Sequence, residues 1–125
     1  MNTSRAAAVA VALTIALAGC GGSSNKELSY SGYISKLNAL CKRGEAEFTK
    51  VQSPKEAEPI IDKYEKKFKD LKPPKELKPQ HDRFVAITEE QRAALERNDI
   101  KKFNQLNADS NKVAAEIGAK ECISE

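Results

Sequence analysis

Residues 30–51 read YSGYISKLNALCKRGEAEFTKV, and their spacing decides the fold class. Apolar or small side chains fall at Tyr30, Ile34, Leu37, Cys41, Gly44, Phe48 and Val51, in alternating steps of four and three. Such steps return each side chain to one face of an α-helix, whereas a half-buried strand would alternate every second residue. The spacing predicts a first helix over 30–52, with Ser29 or Ser31 able to cap its start.

The same periodicity recurs downstream. Ser53-Pro54-Lys55-Glu56 reads as a turn with a capping-box pattern. Pro59 then sits too deep for regular helix unless the helix restarts there, which places the second helix at 58–72, with Ile61, Tyr64, Phe68 and Leu71 on its stripe. Pro73-Pro74 ends it, since neither continues a helix and each restricts its predecessor. A third helix begins near Pro74, or after an irregular first turn near Pro79, and runs to Arg97 through Leu77, Phe84, Ile87 or Thr88, Gln91 and Leu95. Asn98-Asp99 is a break, and Asp99 caps a fourth helix over 99–122 with Ile100, Phe103, Leu106, Ser110, Val113 and Ile117 inward. No alternating β-branched run is present. Short connections favour antiparallel neighbours, so the expected fold is all-α, an up-down-up-down four-helix bundle.

Composition narrows the function classes. The chain has 125 residues, enough for one domain, and a net charge of +3 with charged residues of both signs making up 31%. Mixed charge describes a solvated surface and argues against nucleic-acid binding. Trp is absent and aromatics are 6%, too few for base-stacking platforms.

The N-terminus carries an address. Met1 to Arg5 is polar with one positive charge, and Ala6 to Ala18 is an apolar run too short to span a bilayer but suited to a signal-peptide core. Leu17-Ala18-Gly19-Cys20 follows and resembles the bacterial lipobox position by position. The resemblance implies removal of residues 1–19 and acylation of Cys20, anchoring the protein on the extracytoplasmic face of a membrane. Residues 20–29, beginning Cys-Gly-Gly-Ser-Ser-Asn, then read as a flexible tether, and 30–125 as the helical domain. The body is similar to small exported helical lipoproteins of actinobacteria, on one early Cys, one late Cys and Leu71-Lys72-Pro73-Pro74 between them. That likeness implies no activity and carries over no binding residue.

With Cys20 lipidated, Cys41 and Cys122 are left to pair with each other, and an exported protein meets an oxidising compartment. A Cys41–Cys122 disulfide is therefore expected, closing a loop long enough for roughly 4–5 kcal/mol in the chain-entropy picture. Bridged helices must approach closely, which asks for small residues at the contact. With the first and fourth helices antiparallel, Cys41 would face Cys122, Gly44 would face Gly118 or Ala119, and Phe48 would face Ala114 or Ala115. In that register the start of the fourth helix and the end of the third project beyond the first. Leu95, Ile100, Phe103 and Leu106 on the projecting hairpin would then be covered by the 53–58 loop or left as an apolar partner-binding patch.

Candidate chemistry is thin. His81, the one histidine, lacks companions for a zinc site and is expected at the surface or as a cap. Neither a di-iron Glu-x-x-His pair nor a c-type haem motif is present, so no cofactor or metal is expected. Glu89 and Glu90 read as a solvated face, and no nucleophile elbow accompanies the single histidine. Lys63, Lys66, Lys67, Lys69, Lys72, Lys75 and Lys78 form a basic run interrupted by acids: a solvated helix face, or a contact for anionic headgroups or wall polymers beside the anchor. Asn107 and Ser110 lie near the core stripe, where they would be solvated, form a buried polar layer or line a small pocket. The expected function is a non-enzymatic, surface-tethered module that binds a protein or an envelope component. The alternative is a carrier of a small ligand, which a pocket lined by Phe48, Phe68, Phe84 and Phe103 would favour.

Overall fold

The computed structural model describes residues 26–125; the expected signal segment (1–19), Cys20 and residues 21–25 lie outside the described residues. Four helices follow one another: α1 (Tyr30–Phe48), α2 (Pro54–Asp70), α3 (Lys78–Glu96) and α4 (Ile100–Ile117), with single 3-10 turns at Lys75–Leu77 and Lys120–Cys122. Among the described residues there is no strand. Pairs across the seams step in opposite directions, as antiparallel neighbours require: Glu65 meets Arg92 and Lys69 meets Glu89 between α2 and α3. Phe48 meets Phe103 and Tyr30 meets Ile117 between α1 and α4.

Local chemistry sets the helix starts. Ser29 accepts from the Gly32 amide and Asp99 from the Lys102 amide. Ser53 accepts from the Glu56 amide, and the Glu56 carboxylate reaches back to the Gln52 amide. This reciprocal cap stabilises a start at Pro54, four residues before the expected start. Pro59 lies inside α2 without ending it, on the exposed side. The third helix starts at Lys78 after an irregular turn, as the second of the two expected starts had it.

The end of the fourth helix departs from expectation. Helix α4 stops at Ile117 because Gly118 takes a left-handed conformation (φ 87°), and the Ala119 amide reaches back to the Ala114 carbonyl. This closing pattern turns the chain sharply. Residues 119–125 fold back as a tail between α1 and α4. Asn38 of α1 accepts from the Glu121 amide, and Cys122 bonds Cys41 with a Cα–Cα distance of 5.0 Å. On the other side Asn111 pairs with the Ser124 backbone through both its amide atoms (2.8 and 3.0 Å), and the Ser124 hydroxyl meets Asn107 at 3.1 Å.

The disulfide forms as expected, but the register built on it does not. Cys122 belongs to the returning tail, not to α4. Gly44 faces the Tyr64 ring of α2, and Phe48 stacks on Phe103, near the start of α4. Because Phe48, the last residue of α1, reaches Phe103 near the start of α4, no hairpin projects beyond α1. Leu95 and Leu106 are buried, Phe103 is half-buried and Ile100 is 41% exposed, so the four residues do not make one apolar patch.

The core gathers Tyr33 and Leu37 from α1, Phe68 from α2, Phe84 from α3, and Val113 and Ile117 from α4. Each such side chain contributes about 1.5–3 kcal/mol through burial. On α1 the deepest residue is Tyr33, whereas Tyr30, placed on the stripe by spacing, is 55% exposed and reaches over to the Ile117 carbonyl. Two residues of the stretch expected to be tether are bonded to the domain: Leu28 donates its amide to the Lys72 carbonyl and packs on the core, and Glu27 accepts from the Lys75 amide.

Candidate functional site

A cavity of about 350 Å³ opens between the four helices and the tail. Its walls are mostly apolar, and Phe48, Phe68, Phe84 and Phe103 all line it, one from each helix. Two causes of the space are visible. Gly44 lends no side chain to the α1 wall, and the inserted tail leaves α1 packed more closely on α2 and the tail than on α4. The tail itself forms one wall, with Cys122 and Ser124 facing inward and the disulfide built into it.

Polar groups interrupt the apolar lining at one level. Thr88 and Gln91 of α3 and Ser110 of α4 are buried and line the cavity. The Thr88 hydroxyl donates to the Phe84 carbonyl one turn back. Neither Gln91 nor Ser110 is sealed from the cavity, and neither side chain bonds another described residue. They are donors and acceptors open to a guest. The exposed lining, Glu45 and Thr49 of α1 with Glu121 and Glu125 of the tail, marks the mouth and makes its rim acidic. An apolar chamber of this size with a few convergent polar groups has the general form of a small-molecule site.

The polar stretch of α4 divides its work. Asn107 and Asn111 clamp the tail, while Ser110 faces the cavity. Two Asn residues one turn apart are the only sequence signal for the clamp; their partner, Ser124, comes within reach only because the chain reverses at Gly118.

His81 is buried, contrary to a surface or capping role. It falls on the inward stripe between Leu77 and Phe84, and its Nδ1 lies 2.8 Å from the Tyr33 hydroxyl. Burial drives the imidazole pKa down from its ordinary 6.5, with Asp82 opposing and Lys78 and Lys72 adding to the fall. Burial, helped by Asp82, pushes the Tyr33 hydroxyl far up, so it stays protonated. The unfolded chain therefore takes up a proton at His81 at a higher pH than the folded one. Stability from this pair is full above about pH 6.5 and falls as the pH drops below it. Thermal melts should show a decline from pH 7 to pH 5 that disappears in His81→Gln, which does not titrate there; an unchanged slope would assign the decline to other groups.

Among the described residues no cluster of three or more His, Cys, Asp or Glu side chains gathers to hold a metal ion. Glu89 and Glu90 are exposed, and Glu89 is paired with Lys69. No described helix is long and apolar enough to cross a membrane. No family model, curated protein or solved structure matches the chain.

Proposed function

We propose that this is a lipid-anchored, extracytoplasmic binding module that carries a small apolar molecule between its helices, with no catalytic step. The anchor rests on the resemblance of Leu17-Ala18-Gly19-Cys20 to a lipobox. One observation carries the binding reading: the cavity lined by a phenylalanine from every helix, with Gln91 and Ser110 free to hydrogen-bond a guest. The binding of a protein through an exposed apolar surface has less support, since Leu95 and Leu106 are buried and Tyr30, Ile100 and Ile123 lie apart in the fold. The acidic rim of Glu45, Glu121 and Glu125 repels anions, so the guest is neutral or cationic at its outer end.

Titration with the neutral fluorophore N-phenyl-1-naphthylamine tests this. One molecule is expected to bind per chain. Ser110→Leu pushes an isopropyl group into the chamber and removes a hydroxyl without a protein partner, so it should weaken the probe about ten-fold or more while leaving the melting temperature unchanged or higher. Absence of binding to the unsubstituted protein, or equal binding to Ser110→Leu, would overturn the reading.

A further inference from the structure

At the opposite end of the core from the α3–α4 turn, a second cavity of about 350 Å³ lies beneath the α2–α3 connection. Four lysines line it, Lys69, Lys72, Lys75 and Lys78, together with His81, Glu27 and Asp82. We propose that this cavity binds a phosphoryl group, with the Lys72 and Lys75 ammonium groups and the His81 ring as its donors and the phosphate headgroup of a membrane lipid as its source.

The structure sorts the lysine run. Lys63 is held by Glu47, Lys66 by Asp62, Lys69 by Glu65 and Glu89, and Lys78 by Asp82, while Lys67 lies over the Tyr64 ring. Lys72 and Lys75 make no ion pair among the described residues, and both are exposed at the cavity. The two carboxylates in the lining are already engaged, Glu27 by the Lys75 amide and Asp82 by Lys78. Lys69 and Lys78 are spent on carboxylates, so the ammonium groups that the lining leaves without an ion-pair partner are those of Lys72 and Lys75. At its floor His81 is 95% buried, yet its Nε2 has no protein partner and is not sealed off. The Tyr33 hydroxyl lies 2.8 Å from Nδ1, and in the tautomer in which it donates there, the neutral ring carries its proton on Nε2 and offers it to the cavity. A buried neutral donor beneath two free ammonium groups suits a tetrahedral oxyanion, whose several oxygens accept in different directions.

The place of the cavity selects the source. The chain enters the domain here, since Glu27 and Leu28 are bonded to the α2–α3 connection. Any anchor upstream holds this end toward the membrane, where a basic cluster adds to the attachment that an acyl chain supplies.

As the only histidine, His81 gives a single pair of imidazole nitrogen resonances that report on this site alone. The full-length protein, in neutral glycoside detergent, is titrated with inorganic phosphate and with dihexanoyl phosphatidic acid at constant ionic strength. The Nε2 resonance is expected to shift and saturate with both, the lipid binding more tightly. Lys72→Gln/Lys75→Gln, two exposed changes that leave the melting temperature alone, should weaken binding by about ten-fold or more. Equal affinity for the two probes would keep the phosphoryl site and overturn the lipid source. The proposal fails if neither probe moves the resonance, if chloride moves it equally, or if the double variant binds like the parent.

Discussion

Replacing both bridged cysteines, as Cys41→Ser/Cys122→Ser, is expected to lower stability by about 2–4 kcal/mol, read from urea unfolding of the two proteins side by side. The loop released spans 81 residues, long enough that the unfolded chain gains considerable freedom when the bridge is absent. The native state loses little directly, because the tail keeps its other fastenings at Asn38, Asn107 and Asn111. Those are hydrogen bonds near the surface, each worth about 0.5–1.5 kcal/mol. The tail should therefore open locally before the bundle unfolds, and amide exchange at 119–125 should rise well before that of α3. Since the tail walls the apolar cavity, its opening should also speed release of a bound probe. An unfolding midpoint within error of the parent would mean that the asparagine clamps alone hold the tail.

Glu65→Ala is the second large effect, an expected loss of about 2–3 kcal/mol. Glu65 sits buried between α2 and α3, where its two oxygens take Lys69 at 2.8 Å and Arg92 at 2.8 Å. Lys69 also binds Glu89, and Arg92 also binds Glu96, so one carboxylate organises charges along the whole seam. Burial alone would raise the Glu65 pKa, but the hydrogen bonds from Lys69 and Arg92 outweigh it and hold the pKa below the usual carboxylate value of 4.5. The loss stays below the ~3–5 kcal/mol of a fully buried pair because Lys69 and Arg92 are partly hydrated and can relax into water. The sign of the pH effect follows from the lowered pKa. The contribution is complete above the unfolded-state value and disappears as the pH falls through the folded one, so the gap between parent and Glu65→Ala should begin to narrow as the pH falls below 4.5. Denaturant unfolding in steps from pH 7 downward measures both; a gap that does not narrow at all below pH 4.5 would trace the loss to packing rather than charge.

Helices were legible where their causes are local. The stripe Leu37, Cys41, Gly44 and Phe48 and the caps Ser29, Ser53 and Asp99 depend on residues within one or two turns. The second helix starts earlier than Pro59 suggests because the Ser53–Glu56 cap stabilises the turn at Pro54. His81 reads as surface in the sequence because the hydroxyl that satisfies it, Tyr33, comes from another helix. The four cavity phenylalanines could be named from sequence as core residues, but their positions along the chain do not tell a filled core from a chamber. That difference rests on the absent side chain at Gly44 and on a tail inserted between two helices.

The amino-acid order by itself determined that the domain is helical, how many helices it has, that they alternate in direction, and which two cysteines in the body could join. These follow from periodicity, capping and short connections, which act over a few residues. Tertiary structure alone decided the register of α1 on α4, the reversal at Gly118, the partner of His81 and the existence of both cavities. Each of these depends on how side chains far apart in sequence share space, and such fits are won by small differences among many packings.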